Sequence, residues 1–181
     1  MTLEGQIDAL TRRVQTLEDE AAIRRFMTEM MLAADDRRNP QWGEQMASFY
    51  TDDGLWTSGA GFADVGMQTR GRTGLVKKFT AGTRIRESSH LLGTESISVE
   101  GDTAQGAWLC FEPVTLEATD GSEEAVWIMG RYTCEFKRVQ NEWKVRTVKY
   151  DGIFCTSYEK GWVAERFKSI RPAQAKNEDF R

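Results

Sequence analysis

One histidine, three prolines and three cysteines stand among the 181 residues, and each scarcity excludes something. With a single histidine, and with Cys110, Cys134 and Cys155 widely spaced and forming no CxxC pair, the chain cannot assemble a common zinc site. An odd, scattered set of cysteines is no disulfide framework either and reads as buried free thiols. No stretch approaches the roughly 20 apolar residues that span a bilayer. The opening Met1-Thr2-Leu3-Glu4-Gly5 has no basic region leading into an apolar core, so a cytoplasmic protein without a membrane partner is expected. Basic charge is not in excess: the formal net charge is −4, and the Lys and Arg residues are scattered rather than aligned, which argues against nucleic acid. The glycines of Gly59-Ala60-Gly61-Phe62 suit turns but lack a following helix and phosphate-binding spacing, and no Rossmann or P-loop fingerprint occurs elsewhere. Neither metal nor cofactor is expected.

What is present is core material. Hydrophobic residues make up 40% of the chain, with six Trp and nine Phe, enough for one domain over 1–181. Leu3, Ile7, Leu10, Val14 and Leu17 recur at spacings of four and three, the pattern of a short coiled-coil seam, with Thr2 as N-cap. This 1–17 extension is too short to be stable alone and is expected to pack between subunits. Ile23, Phe26, Met27, Met30 and Met31 form a wider apolar face ending at Ala33-Ala34-Asp35-Asp36. Asn39-Pro40 predicts an N-cap and first helical position before Trp42, Met46, Phe49 and Tyr50, with Thr51-Asp52-Asp53-Gly54 as a stop. A strand is expected around Leu55-Trp56-Thr57, and a third helix carries Leu75, Val76 and Phe79. From His90 onward the period changes. Thr94–Val99, Thr103–Leu116, Ala125–Val139 and Glu142–Phe154 read as strands joined at Glu100-Gly101-Asp102, Asp120-Gly121-Ser122 and Gln140-Asn141, an antiparallel meander. A last helix is expected near Ser157–Phe167, then a flexible tail over 169–181.

His90 is the one side chain that takes and releases protons near neutral pH without a strong environmental shift. A carboxylate on one ring nitrogen fixes the tautomer and stabilises the imidazolium formed at the other. Asp35, at the end of the first helical pattern, is the expected orienter, and His90 the base. The alternative is a structural histidine at a strand start with a solvated aspartate. Alternation along Thr103–Leu116 puts Ala104, Gly106, Trp108, Cys110, Glu112, Val114 and Leu116 on one face. A carboxylate there is costly unless paired or facing a wet cavity; a bulge before Pro113 would instead turn Glu112 outward. Met30, Trp56, Trp108, Trp127, Tyr132, Phe136, Tyr150 and Tyr158 are candidates for a pocket wall, core packing being the competing fate.

In order and spacing several features resemble one family. They are the opening Met-Thr-Leu-Glu, Leu17-x-Asp19-x-x-Ala22-Ile23, the helix-end Asp35, Ser88-x-His90, Gly106-x-Trp108, Tyr132-Thr133 and Trp143. The chain, over roughly residues 2 to 155, resembles the SnoaL-like branch of the nuclear-transport-factor-2-like superfamily. Within that branch it looks like the cofactor-free lyases: bile acid dehydratase, hexachlorocyclohexane dehydrochlorinase and, more distantly, scytalone dehydratase. The resemblance implies an α+β cone, with N-terminal helices packed on a strongly curved antiparallel sheet around one pocket. It implies an acid/base dyad at Asp35 and His90, joined by Glu112, and a homo-oligomer, a trimer before a dimer. A tyrosine expected before the aspartate is Met30 here, and an arginine expected on the last strand is Gly152, with Lys149, Tyr150, Asp151 and Tyr158 as possible substitutes.

The function expected from the resemblance is a cofactor-independent lyase acting on a small hydrophobic, hydroxylated aromatic or steroid-like substrate. A lignin-derived diarylpropane cleaved through a quinone methide is one form of it. An isomerase or polyketide cyclase would use the same pocket, and the fold also serves as a non-catalytic ligand-binding module or dioxygenase small subunit.

Overall fold

The computed structural model describes residues 2–59, 67–81, 84–118 and 120–170. Its elements are α1 (Leu3–Asp35), α2 (Trp42–Ser48), β1 (Tyr50–Ser58), β2 (Gln68–Arg70), α3 (Gly71–Thr80), β3 (Ile85–Ser88), β4 (Leu91–Glu100), β5 (Thr103–Glu117), β6 (Glu123–Val139), β7 (Glu142–Ser157) and α4 (Gly161–Ala164). The two apolar patterns of the N-terminal segment belong to one 33-residue helix, capped by the Thr2 hydroxyl, which accepts from the Gly5 N–H at 3.3 Å. Among the described residues no helix is long and apolar enough to cross a membrane.

The strands form one seven-stranded sheet in the order β2-β1-β7-β6-β5-β3, with β4 also paired to β5. Long strands, β5 and β6 above all, pair without interruption from Thr103↔Lys137 to Glu117↔Glu123. Register breaks at Gly93/Ser96, Met129/Gly130 and Glu135/Phe136 bend the sheet into a trough, since each bulge adds a local kink and twist. The Gln140-Asn141 turn has φ of 50° and 67° at its two central residues, the left-handed pair that a tight two-residue hairpin requires. α1, α2 and α3 fill one end of the trough. Ile23, Met27, Leu75, Phe136, Val145 and Val148 are buried there, and a smaller cluster of Val114, Leu116, Val126, Ile128 and Cys155 lies at the other end.

Several expectations need correction. The sheet is mixed, because β1 runs parallel to β7. Thr51-Asp52-Asp53-Gly54 does not merely end a helix but belongs to β1; the Thr51 hydroxyl donates to Asp53 at 2.8 Å, so a turn-like run is accommodated at the break in the β1–β7 register between Tyr50 and Leu55. α2 begins at Trp42 after Gln41, and Asn39 instead accepts from the Gln41 N–H in a local turn. The helix expected near Ser157–Phe167 shrinks to Gly161–Ala164, because β7 extends to Ser157 and residues 166–168 return to pair beside Cys155. Ala60-Gly61-Phe62 and most of the 169–181 tail lie outside the described residues.

Candidate active site

One break in the sheet edge creates the site. The Pro113 carbonyl accepts the Ser89 N–H at 3.2 Å. In a strand a residue's N–H and C=O point to the same side, so proline's missing donor falls on that same edge. There the edge strand is interrupted between β3 and β4, at Ser89 and His90, and the released His90 ring turns inward.

Asp35 meets it from the last residue of α1. A carboxylate at a helix C-terminus is opposed by the helix dipole, yet three donors hold this one. The His90 ring Nδ1 lies 2.7 Å from Oδ1, the His90 backbone N–H donates to Oδ2 at 2.9 Å, and the Ser88 hydroxyl donates to Oδ1 at 2.8 Å. Burial pushes the Asp35 pKa up, but the His90 contacts and Ser88 outweigh it and the net direction is down. With Nδ1 committed to the carboxylate as donor, the neutral ring carries its lone pair on Nε2.

Nε2 lies 3.5 Å from Oε1 of Glu112. The side chains of His90 and Glu112 are 7% and 8% exposed, so a proton between them is largely shielded from water. Burial lowers the His90 pKa, Glu112 and Asp35 raise it, Arg37 lowers it, and the carboxylates win: the net direction is up. The two carboxylates sit on opposite edges of the imidazole and do not converge on a common point; among the described residues no cluster of three or more His, Cys, Asp or Glu could hold a metal ion. The arrangement is a carboxylate–imidazole–carboxylate relay, able to hold or move one proton.

His90 and Glu112 line a cavity of about 220 Å³ whose walls include Met30, Trp56, Tyr132 and Tyr150. Tyr132 and Tyr150 lie 4.6 Å apart between ring centroids, and burial pushes both phenols up, so they remain protonated donors. Gly130 makes room for Tyr150: a Cβ there would sit 2.4 Å from its Cζ. Glu112 points inward, because the β5–β6 register runs unbroken through Glu112↔Ile128 and Pro113↔Trp127; the bulge that would have turned it outward is absent.

Other expected wall residues lie elsewhere. Trp108 is buried under α1 and donates its Nε1–H to Glu95 at 3.2 Å. Phe136 packs edge-on against Phe26 at 5.8 Å, so the helix fills that end of the trough. Trp127 has the opposite parity to Tyr132 and lies on the outer face, where Tyr158, 62% exposed, stacks on it at 5.8 Å. Lys149 pairs with Asp151 at 3.0 Å and does not line the cavity. The cation that sequence reasoning missed is Arg37. It lines the cavity, donates Nε–H to the Ser88 hydroxyl at 3.1 Å and lies over the Trp42 ring at 5.0 Å. Burial lowers its pKa while Glu112, Asp35 and Tyr132 raise it, and the net direction is down. Its place two residues after Asp35 was the available signal. Lys78, 3.4 Å over the Trp56 ring, is a second cation in the wall.

The SnoaL-like domain family matches residues 15–149. No curated protein matches the chain. Among solved structures, a scytalone dehydratase-like protein of Novosphingobium aromaticivorans is similar at 18% identity, with 89% of this chain and 97% of that one covered and a TM-score of 0.65. A hexachlorocyclohexane dehydrochlorinase of Novosphingobium barchaimii is similar at 21% identity, 78% and 90% covered, TM-score 0.63. An NTF2-like protein with a cystatin-like fold, also from N. aromaticivorans, is similar at 21% identity, 86% and 92% covered, TM-score 0.56. At these identities the likeness is one of fold.

Proposed function

This chain belongs to the SnoaL-like domain family, and from that premise we propose that it is a cofactor-independent lyase using Asp35 and His90 as its acid/base pair. The single observation that carries the reading is the Asp35–His90–Glu112 relay opening on a largely apolar cavity. The dehydratase and dehydrochlorinase names among its structural neighbours, both eliminations, point the same way.

In the proposed reaction the neutral Nε2 of His90 takes a proton from a substrate carbon. The electrons of that C–H bond form a double bond to the neighbouring carbon, whose C–O bond breaks. The departing oxygen recovers the proton from the imidazolium and leaves as water, so atoms and charge balance. Asp35 holds the ring and stabilises its charged form, Glu112 stabilises the imidazolium from the other edge, and the Tyr132 phenol is a donor for the departing oxygen. General acid/base assistance of this kind supplies about 10²–10⁴-fold, and positioning of the substrate in the cavity must supply the rest.

The proposed substrate is a hydroxylated aromatic or steroid-like molecule, because Trp56, Tyr132, Tyr150 and Met30 offer apolar surface beside the polar groups Arg37, Lys78, His90 and Glu112. A para-hydroxyphenyl compound is one member of that class: loss of its benzylic hydroxyl gives a quinone methide, an electron sink for a following C–C cleavage. The test is turnover by dialysed, chelator-treated protein on hydroxysteroids, lignin-type diarylpropanes and hydroxylated polyketides, with products identified by mass spectrometry. Loss of water, or fragments from C–C cleavage, is the expected result. Isomerised or cyclised product of unchanged composition would replace the lyase with an isomerase or cyclase; tight binding without turnover across the panel would leave a binding module.

A further inference from the structure

The first four turns of α1 stand clear of the domain. Leu3, Ile7, Leu10, Val14 and Leu17 are between 52% and 74% exposed, and residues 11–18 are all exposed. Five large apolar side chains in a row on a helix that projects roughly 24 Å, at 1.5 Å per residue, is a costly surface to leave in water. The direction of this stripe matters. At 3.6 residues per turn its mean direction lies about 140° around the helix from that of Ile23, Met27, Met30, Met31 and Ala34, which face the core. The seam is therefore turned away from its own domain, and no straight continuation of α1 folds it back.

We propose that this segment is a parallel, two-stranded zipper with a second copy of the chain. Three observations select that occupant. The seam places Ile7 and Val14 at a positions and Leu3, Leu10 and Leu17 at d, and β-branched a residues with Leu at d favour two strands over three. The zipper is thus a dimer contact, in place of the trimer that the family resemblance led us to expect. In the same register Arg13 is a g position and Glu18 the following e position, both exposed. In a parallel pair these face each other across the seam as opposite charges, twice by symmetry. Reversing one helix with the seam fully overlapped brings e against e and g against g, so that Glu4 meets Glu18 and Arg13 meets Arg13. Finally, each domain lies on the far side of its helix from the seam, so two domains flank the zipper without competing for its space. Shortness is offset because the buried half of α1 already nucleates the helix, the costly step for an isolated segment.

The experiment uses cysteine pairing in the full chain, whose three native cysteines are all buried. Leu3→Cys and Leu17→Cys are made separately, oxidised mildly and run without reductant. A parallel, in-register zipper sets each position against its own copy, so both variants form covalent dimers on their own. Cross-linking only after the two variants are mixed and allowed to exchange would establish an antiparallel contact and overturn the proposal; no cross-link in any of the three samples would remove the pairing altogether. Independently, Ile7→Asp with Val14→Asp changes only exposed side chains and should halve the mass measured by light scattering while circular dichroism stays that of the folded protein. An unchanged mass in that folded variant would also overturn it. Arg13→Glu should weaken the dimer, and Arg13→Glu with Glu18→Arg should restore it; failure of the double variant to recover would refute the parallel charge pairing.

Discussion

Helix α1 carries two carboxylates that bind partners from the sheet, and they behave differently. Asp19 is buried; it accepts from Arg138 Nη2 at 2.6 Å, Trp143 Nε1 at 3.3 Å and Gln15 Nε2 at 3.3 Å, and Arg138 also lies over the Trp143 ring at 4.3 Å. Asp35 accepts from Ser88 and from both the ring and the backbone of His90. In both cases burial pushes the carboxyl pKa up, and the hydrogen bonds outweigh it and bring it down. A buried acid with a depressed pKa is therefore no mark of chemistry by itself. The difference lies in the partner: Arg138 keeps its charge at every accessible pH, whereas His90 can give its proton up and opens on a cavity at its other edge. One carboxylate is a latch where the projecting half of α1 joins the domain; the other holds a titratable ring that faces a cavity.

The largest expected effect tests the chemical end. His90→Ala and Asp35→Asn should each lower turnover by about 10³-fold in protein that circular dichroism shows to be folded, since neither change removes a large apolar contact. A folded His90→Ala protein with near-parental turnover would remove the mechanism.

The latch should respond the other way round. Asp19→Ala takes away the acceptor for three donors and leaves Arg138 with the exposed Asp102, at 3.1 Å, and the Trp143 ring. A loss of about 2–3 kcal/mol in stability is expected by urea denaturation, with turnover per folded molecule unchanged. If Asp19→Ala stayed folded but lost turnover, the division between the two carboxylates would collapse.

How much of this was legible depended on which residue carried the signal. Period-2 alternation along Thr103–Leu116 put Glu112 on the inner face, and the register bears that geometry out. The same rule, applied to β6, separates Trp127 from Tyr132, five positions apart and hence on opposite faces; grouping them as one aromatic wall ignored parity. Trp108 does face inward, but only the tertiary packing of Phe26 against Phe136 decides that this end of the trough is filled. Asp35 and His90 were visible as a helix end and a lone titratable ring, although their 2.7 Å contact spans 55 positions of sequence and no local pattern encodes it. Arg37 was hidden because an arginine in a polar turn reads as solvated. Its burial comes from the return of Ser88 and from Trp42, two segments far apart in the chain. The strand expected around Leu55-Trp56-Thr57 is the second half of β1; its first half was obscured by Asp52-Asp53-Gly54, whose turn chemistry outweighs its neighbours until a parallel strand, β7, supplies the pairing.

The smallest effect is also the sharpest test of the proton path, because the chain has one histidine and its titration can be followed by NMR without assignment by mutation. Burial alone would depress His90; Glu112 and Asp35 reverse that, and Arg37 works against them. Because the folded pKa lies above the unfolded value of about 6.5, the stability contributed by this group is fully present below about pH 6.5 and is lost as pH rises through the folded pKa. Asp35 has the opposite sign. Its folded pKa lies below the ordinary aspartate value of about 3.9, so its contribution is present above that pH and is lost as pH falls through the folded pKa. The pair is thus most stabilising in the weakly acidic range between these limits. Arg37→Met removes a cation from the surroundings of the ring and should move the His90 titration further up, carrying the rising limb of kcat/KM with it, because the base form must be neutral to accept a proton. Glu112→Gln removes an anion and should move both down. A merely structural role for Arg37 or Glu112 would alter stability without shifting the imidazole titration in opposite directions. If the two variants leave that titration in place, or move it the same way, His90 does not lie between them electrostatically, and the contrast with Asp19 loses its basis.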